Sequence, residues 1–280
     1  MSTPMTASQL EAQLKKWAIN YAPYKPDWAT HNRGQRGKGW GNVHGVVIHH
    51  TGTDGDARQD LYAGDSALPG PKVQLYIDKN GKLWLIGWGR ANHAGGGDPA
   101  VLNHVINEDY SGILTTRYGE GDSYAEDGNA YFYGIEVGYS GSHEMSPAQY
   151  STLMKVCAAI ADFHNWTEKS FIAHYEWNKY KWDPGCGPNS KKYNMVGVRG
   201  DIKHAISAGP KGTGNVSETK PSKPQTYKDV WDADFMTPPQ GYANTANPTW
   251  APNTVLRWTA ERADEINKKL DKIMAHLNIK

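Results

Sequence analysis

Residues 43–50 form an apolar run of strand length that ends in two adjacent histidines, His49 and His50. Successive side chains on a strand point to opposite faces, so only one of the two imidazoles can reach a given site. Two further runs, 73–78 and 82–86, flank Lys79-Asn80-Gly81 and read as a hairpin. Residues 131–137 make another strand, and 171–173 a short one that delivers His174. Ser146-Pro147-Ala148-Gln149 opens a helix, with Ser as the cap, Pro in the first position and Gln three after the cap. Tyr150, Leu153, Met154, Cys157, Ile160 and Ala161 then mark its buried face. Ser8-Gln-Leu-Glu11 reads as the capping box of an earlier helix carrying Leu10, Leu14 and Trp17, and 195–206 as a later one. Strands and helices that mix around a hairpin predict an α/β fold, a mixed central β-sheet flanked by helices.

The pattern changes after residue 206. Residues 207–225 are a linker by composition, rich in Gly, Pro, Ser and Lys. Residues 226–252 are Pro- and Asn-rich and carry Trp231, Phe235, Tyr242 and Trp250. In the segment 254–277, Leu256, Thr259, Ala263, Ile266, Leu270, Ile273 and Leu277 alternate at spacings of three and four, a heptad seam. Leu at a with Ile at d favours trimers or tetramers, while the same face would also serve a helix packed on its own domain. The expected division is therefore a domain over 1–206, a linker over 207–225, and a small helical tail over 226–280 for oligomerisation or surface attachment.

A net charge of +1 over 280 residues gives no electrostatic pull towards nucleic acid or an anionic membrane, and neither partner is expected. With 11 Trp and 16 Tyr against 4 Phe, most aromatic surface carries a polar handle, which suits carbohydrate or peptide surfaces. Two cysteines, Cys157 and Cys186, are too few for a disulfide framework. The first residues lack a basic and an apolar signal region, and no stretch is long enough to span a bilayer. The expectation is a chain made in the cytoplasm, whose action outside would need a separate way out.

Four segments carry chemistry: Val47-Ile48-His49-His50-Thr51, Gly134-Ile135-Glu136, Ala173-His174-Tyr175-Glu176-Trp177, and Lys181-Trp182-Asp183-Pro184-Gly185. Together, and in this order, they resemble the zinc-dependent N-acetylmuramoyl-L-alanine amidases, the family that includes phage T7 lysozyme and the peptidoglycan recognition proteins. The resemblance implies one zinc ion per chain, held by His49, His174 and Asp183, with Glu136 and Lys181 as catalytic residues. Two imidazoles and a carboxylate leave a tetrahedral zinc with one open position, and the metal brings a water's pKa down to about 7. Glu136 is then expected to carry the proton to the leaving amine and Lys181 to stabilise the oxyanion. Arg90-Ala-Asn-His93-Ala-Gly resembles a family loop whose His lies in the substrate cleft, which makes His93 an expected substrate contact. Trp177 is expected to line the groove, and Glu176 either to line it or to orient a ligand histidine. His50 reads as a supporting residue, and Cys186 fits the ligand spacing less well than Asp183. Many members carry a Tyr-His pair before the turn, where this chain has Val73-Gln74, so the sequence fits the Glu-plus-Lys version of the site. Residues 96–130 match nothing in the family core and read as a lid, a groove wall or a surface loop.

The function so implied is hydrolysis of bacterial peptidoglycan between N-acetylmuramic acid and L-alanine. The lack of a signal region and the appended tail suggest a phage endolysin, made in the host cytoplasm and reaching the wall through a separate membrane pore. A muropeptide-recycling amidase would share fold and ligands but has no use for the linker and tail. A non-lytic peptidoglycan-binding module would lack a ligand, whereas all three ligand types stand here. Two His and one carboxylate also suit a non-haem iron site, but such sites usually begin with His-x-Asp or His-x-Glu.

Overall fold

A computed structural model describes residues 2–34, 40–187 and 192–210 of the chain. In chain order, α1 (Ala7–Lys16) leads to β1 (Tyr21–Pro23), β2 (Gly45–His50), α2 (Arg58–Ala63), β3 (Leu75–Ile77), β4 (Leu83–Leu85) and β5 (Gly96–Gly97). There follow α3 (Pro99–Asn107), β6 (Glu126–Asp127), β7 (Phe132–Val137), α4 (Pro147–His164), β8 (Phe171–Ala173), α5 (His174–Trp177) and α6 (Met195–Ala208). Helix α6 thus runs two residues into the expected linker; the rest of that linker from 211, the aromatic stretch and the heptad helix lie outside the described residues.

Six strands form one mixed sheet in the order β1-β4-β3-β7-β2-β8. β3, β7, β2 and β8 run parallel, β4 returns antiparallel from the predicted hairpin, and β1 lies parallel to β4 at the edge. β5 and β6 make a separate two-stranded ribbon. The parallel centre explains the continuous apolar run of β2, since a strand covered on both faces has no polar side. Val46 and Ile48 join Tyr133, Ile135 and Val137 in the larger core, which α1, α4 and α6 close. Val47 points the other way, with Phe132 and Ile172, towards Val101, Leu102 and Val105 of α3.

Helix α4 starts as the sequence predicts, on a Ser146–Gln149 capping box with Pro147 in its first turn. It is buried over more than the predicted face, because Val156, Ala158 and Ala159 also lie in the core between the sheet and the flanking α1 and α6. Helix α1 starts two residues earlier than the Ser8–Glu11 reading: Thr6 is the cap and Gln9 its reciprocal partner. Both boxes fit the motif, and the residue before the cap decides between them. Met5 and Leu10 occupy the hydrophobic-staple positions of a helix capped by Thr6, and both are buried in the same core.

One buried ion pair ties the second half of the fold together. Glu176 is fully buried and meets Arg199 of α6 through two bonds, Oε2 to Nη1 at 2.9 Å and Oε1 to Nη2 at 3.0 Å. Its two oxygens also accept from the backbone N–H of Ala173 and of Leu114, each at 3.0 Å. The carboxylate therefore fixes the end of β8, where His174 begins, against α6 and the segment after α3. Removing the guanidinium leaves a buried carboxylate without its counter-charge. Arg199→Met should cost about 3–5 kcal/mol, a fall in Tm of roughly 6–20 °C for a domain of this size. Thermal unfolding followed by circular dichroism measures it, and a fall below about 2 °C would mean the pair does not hold this corner.

Candidate metal centre and its cavity

The parallel register sets the site. His49 of β2 is paired with Glu136 of β7, so both side chains leave the same face at the same level. On the other side, Ile48 is paired with Ala173, the last residue of β8. The next residue, His174, therefore stands level with His49, and all three groups sit at the carboxyl ends of parallel strands, where open α/β sheets place their sites. Asp183 reaches the same point because the chain turns back after α5. Asn178 N–H bonds to the His174 carbonyl at 2.9 Å, Lys181 N–H to the Asn178 carbonyl at 3.1 Å, and Tyr175 N–H to the Asp183 carbonyl at 3.1 Å. The Tyr139 hydroxyl donates to the Pro184 carbonyl and closes the return.

Nδ1 of His49, Nδ1 of His174 and Oδ2 of Asp183 form a triangle with three sides of 2.9 Å. All three residues are buried. Hydrogen bonds do not account for such a triangle, because the protons are committed elsewhere. His174 Nε2 faces the Ala94 carbonyl at 3.0 Å; a carbonyl only accepts, so Nε2 carries the ring proton and Nδ1 offers a lone pair. Burial, then His174, pushes the His49 imidazole down to about 4, which keeps it neutral near pH 7. Two imidazole lone pairs and a carboxylate converging on one point fit a divalent cation, and zinc is among those that such a donor set suits. Among the described residues this is the one group of three or more His, Cys, Asp or Glu gathered for a metal, and Cys186 lies outside it.

The centre opens into a cavity of about 400 Å³ that Glu136 and Lys181 also line. Oε2 of Glu136 is buried and has no hydrogen-bond partner. Burial, then the Asp183 charge, raises its carboxyl well above the ordinary value, against the pull of Lys181. The structure thus brings together His49, His174, Asp183, Glu136 and Lys181. Of the two expected substrate contacts, His93 lines this cavity and Trp177 does not. Trp177 is fully buried, its ring packed edge-on to Phe132 and its Nε1–H bonded to the Gly95 carbonyl at 3.2 Å. A side chain with no exposed surface cannot line a groove, so that expectation is corrected. His93 reaches the cavity but is 9% exposed and sits behind His49, 3.1 Å from its Nε2. Glu176 serves the ion pair with Arg199 in place of either expected role.

His50 leaves β2 on the opposite side, edge-on to Trp182 at 4.6 Å between centroids. Gln74, the second residue of the Val73-Gln74 pair, is fully buried and bridges the Gly134 N–H and the Gly89 carbonyl. None of the segment 96–130 lines the cavity. It braces α5 from below, with Asp98 capping α3 and accepting from Arg117 N–H at 2.7 Å. Sequence reasoning missed the wall made by α2 and the loop after it, where Ala57, Asp60, Leu61, Leu68 and Lys72 line the cavity. Helix α2 has six residues and no side-chain cap, so its start carries no signal.

No curated protein sequence matches the chain. Among solved structures, the endolysin amidase LysCS from Clostridium intestinale aligns with a TM-score of 0.43 and 15% identity, over 65% of this chain and 95% of that one. The Ph2119 endolysin from a Thermus scotoductus bacteriophage aligns at 0.40 and 13%, over 65% and 99%. A variant of Drosophila PGRP-LB aligns at 0.36 and 14%, over 59% and 91%. The family model of the N-acetylmuramoyl-L-alanine amidases matches residues 39–186. That match spans more than half of the sequence, and the chain belongs to the N-acetylmuramoyl-L-alanine amidase family.

Proposed function

We propose that the chain is a zinc-dependent lytic amidase, an endolysin that cuts intact bacterial peptidoglycan between the lactyl carbonyl of N-acetylmuramic acid and the amino group of L-alanine. The observation that carries the reading is the triangle of three lone-pair donors opening into the cavity that holds Glu136. His49, His174 and Asp183 would hold the zinc ion, one per chain. When bound, zinc supplies Lewis acidity that polarises a carbonyl and brings the pKa of water down to about 7.

The protein's own groups then do the following. Glu136 takes a proton from the attacking water as its oxygen bonds to the lactyl carbon. Burial makes it a stronger base than an exposed carboxylate, and it has no hydrogen bond to break first. As the carbon–nitrogen bond breaks, the same proton passes from Glu136 to the alanine nitrogen. Lys181 places its ammonium at the mouth of the cavity, where the carbonyl oxygen gathers negative charge. Asp60 and Lys72, paired at 3.0 Å on the α2 wall, set the polarity of the side that the stem peptide passes. The linker and tail expected from the sequence beyond α6 favour action on an insoluble wall over recycling of soluble fragments, since a tail that attaches or oligomerises prolongs residence there.

Digestion of purified peptidoglycan by the full chain should release new L-alanine amino termini and no new reducing sugars. New reducing sugars alone would exclude the proposed bond, and cleavage of soluble muropeptides with intact walls left untouched would point to recycling instead. Metal analysis should find about one zinc per chain. Lys181→Met should lower kcat by about 10²–10³-fold.

Glu136→Gln should lower kcat by about 10²–10⁴-fold and yet stabilise the zinc-free protein. The raised pKa of Glu136 means that the folded state holds its proton more tightly than the unfolded state, whose value is about 4.3. Stability from this group is therefore full below the unfolded value and is lost as pH rises towards the folded one. The glutamine variant has no such loss. Its Tm in chelator should match wild type at about pH 4 and exceed it at neutral pH, the gap widening as pH rises. A Tm difference that does not change with pH would show that Glu136 keeps its charge at no cost.

A further inference from the structure

We infer that His93 is a positioning residue for the metal centre, one that fixes the tautomer of His49, and that the glycine of Gly134-Ile135-Glu136 is there to make room for it. The inference rests on the zinc reading above and adds to it a residue that sequence comparison placed at the substrate. It follows from a chain of hydrogen bonds with one direction. Nε2 of His93 faces the Phe132 carbonyl at 3.2 Å. A carbonyl has no proton to give, so His93 Nε2 must donate. With that proton on Nε2, His93 Nδ1 is left with a lone pair, and it faces Nε2 of His49 at 3.1 Å. His49 Nε2 must therefore be the protonated nitrogen, which leaves Nδ1 of His49 bare and aimed at His174 and Asp183. The reverse order, with a proton on His93 Nδ1, would put the His49 proton on Nδ1 and block the metal.

Two more features support the ring in this role. Its backbone is pinned, because Asn129 Oδ1 accepts from the N–H of both His93 and Ala94 at 2.8 Å. Ala94 in turn offers its carbonyl to His174, so one short stretch of chain sets the tautomers of both ligand histidines. The ring also occupies the space beside Gly134: a β-carbon there would lie 2.8 Å from Cγ and Nδ1 of His93, inside any normal contact. His93 is thus held by the Phe132 carbonyl, by Asn129 and by the space beside Gly134, with its Nδ1 facing His49.

The test uses the full chain and zinc affinity measured by chelator competition, with Tm of the zinc-free protein as the check on folding. His93→Leu removes the acceptor and should weaken zinc binding by about 10–100-fold, the cost of losing such a partner. His93→Asn places a carbonyl oxygen near the position of Nδ1 and should restore most of that affinity. A second measurement needs no variant: ¹⁵N NMR of the zinc-loaded wild type should show His93 with its proton on Nε2 and none on Nδ1. Folded His93→Leu protein that binds zinc as tightly as wild type would overturn the inference, as would a proton on Nδ1 of His93. Wild-type protein that binds no zinc would instead overturn the metal reading on which it rests.

Discussion

Parallel pairing of β2 with β7 on one side and β8 on the other is the constraint from which the site follows. Antiparallel neighbours would bring their starts and ends together in alternation. Parallel ones bring every carboxyl end to the same edge, so His49, Glu136 and His174 arrive level with one another without any loop having to place them. The same pairing forces the strands to be covered on both faces. The larger core under α1, α4 and α6 takes one face, and the site occupies a gap in the cover on the other, between α2 and the packing around Trp177. Position along the strand fixes the level of each group, and parity along the strand fixes which face it serves.

Only Asp183 and Lys181 depend on a loop, and the loop is correspondingly well held. Glu176 and Arg199 fix its root, Asn178 ties it to Gly96 at 2.9 Å, and Tyr139 receives its far end at Pro184. The segment 96–130 earns its place here as a brace. Its Leu114 N–H feeds Glu176, its Gly119 backs onto the Asn178 and Tyr180 side chains, and Asp122 pairs with Lys179 at 2.8 Å. A cluster built mostly on strand ends needs its one loop-borne member held to a comparable degree.

The parts of this arrangement that were legible in the sequence are those whose signal is local or ordered along the chain. The α4 cap, the Lys79-Asn80-Gly81 hairpin and the strand before His174 each have a signature within a few residues. The five groups the structure gathers were found through motif order and not through any contact. What the sequence hid is set by three-dimensional neighbours. Trp177 sits next to Glu176 and near His174 in sequence, yet its neighbours in space are Gly97, Gly128 and Phe132, so proximity along the chain misled. His93 lies in a loop motif that reads as substrate-facing, and its direction depends on Phe132 and Asn129, more than thirty residues away. The start of α1 turned on Met5, because two capping boxes of equal local merit differ only in whether an apolar residue before the cap can reach the core.

Asp183 and Glu136 both stand beside the two histidines, and their surroundings separate them into different roles. Like charges close together cannot both ionise at ordinary pH without compensation. Asp183 Oδ2 stands 2.9 Å from the bare Nδ1 atoms of both His49 and His174, an arrangement of three lone-pair donors that suits a divalent cation. Glu136 lines the adjoining cavity with Oε2 unpartnered, and burial together with the Asp183 charge raises its carboxyl. One group is thereby suited to holding a cation and the other to exchanging a proton, a separation of roles by environment that identifies acid–base pairs generally. Exchanging the roles would require moving the histidines, which the strand register does not permit. The division of labour between Asp183 and Glu136 is thus a consequence of which strand ends lie beside which, and it is in place before any substrate arrives.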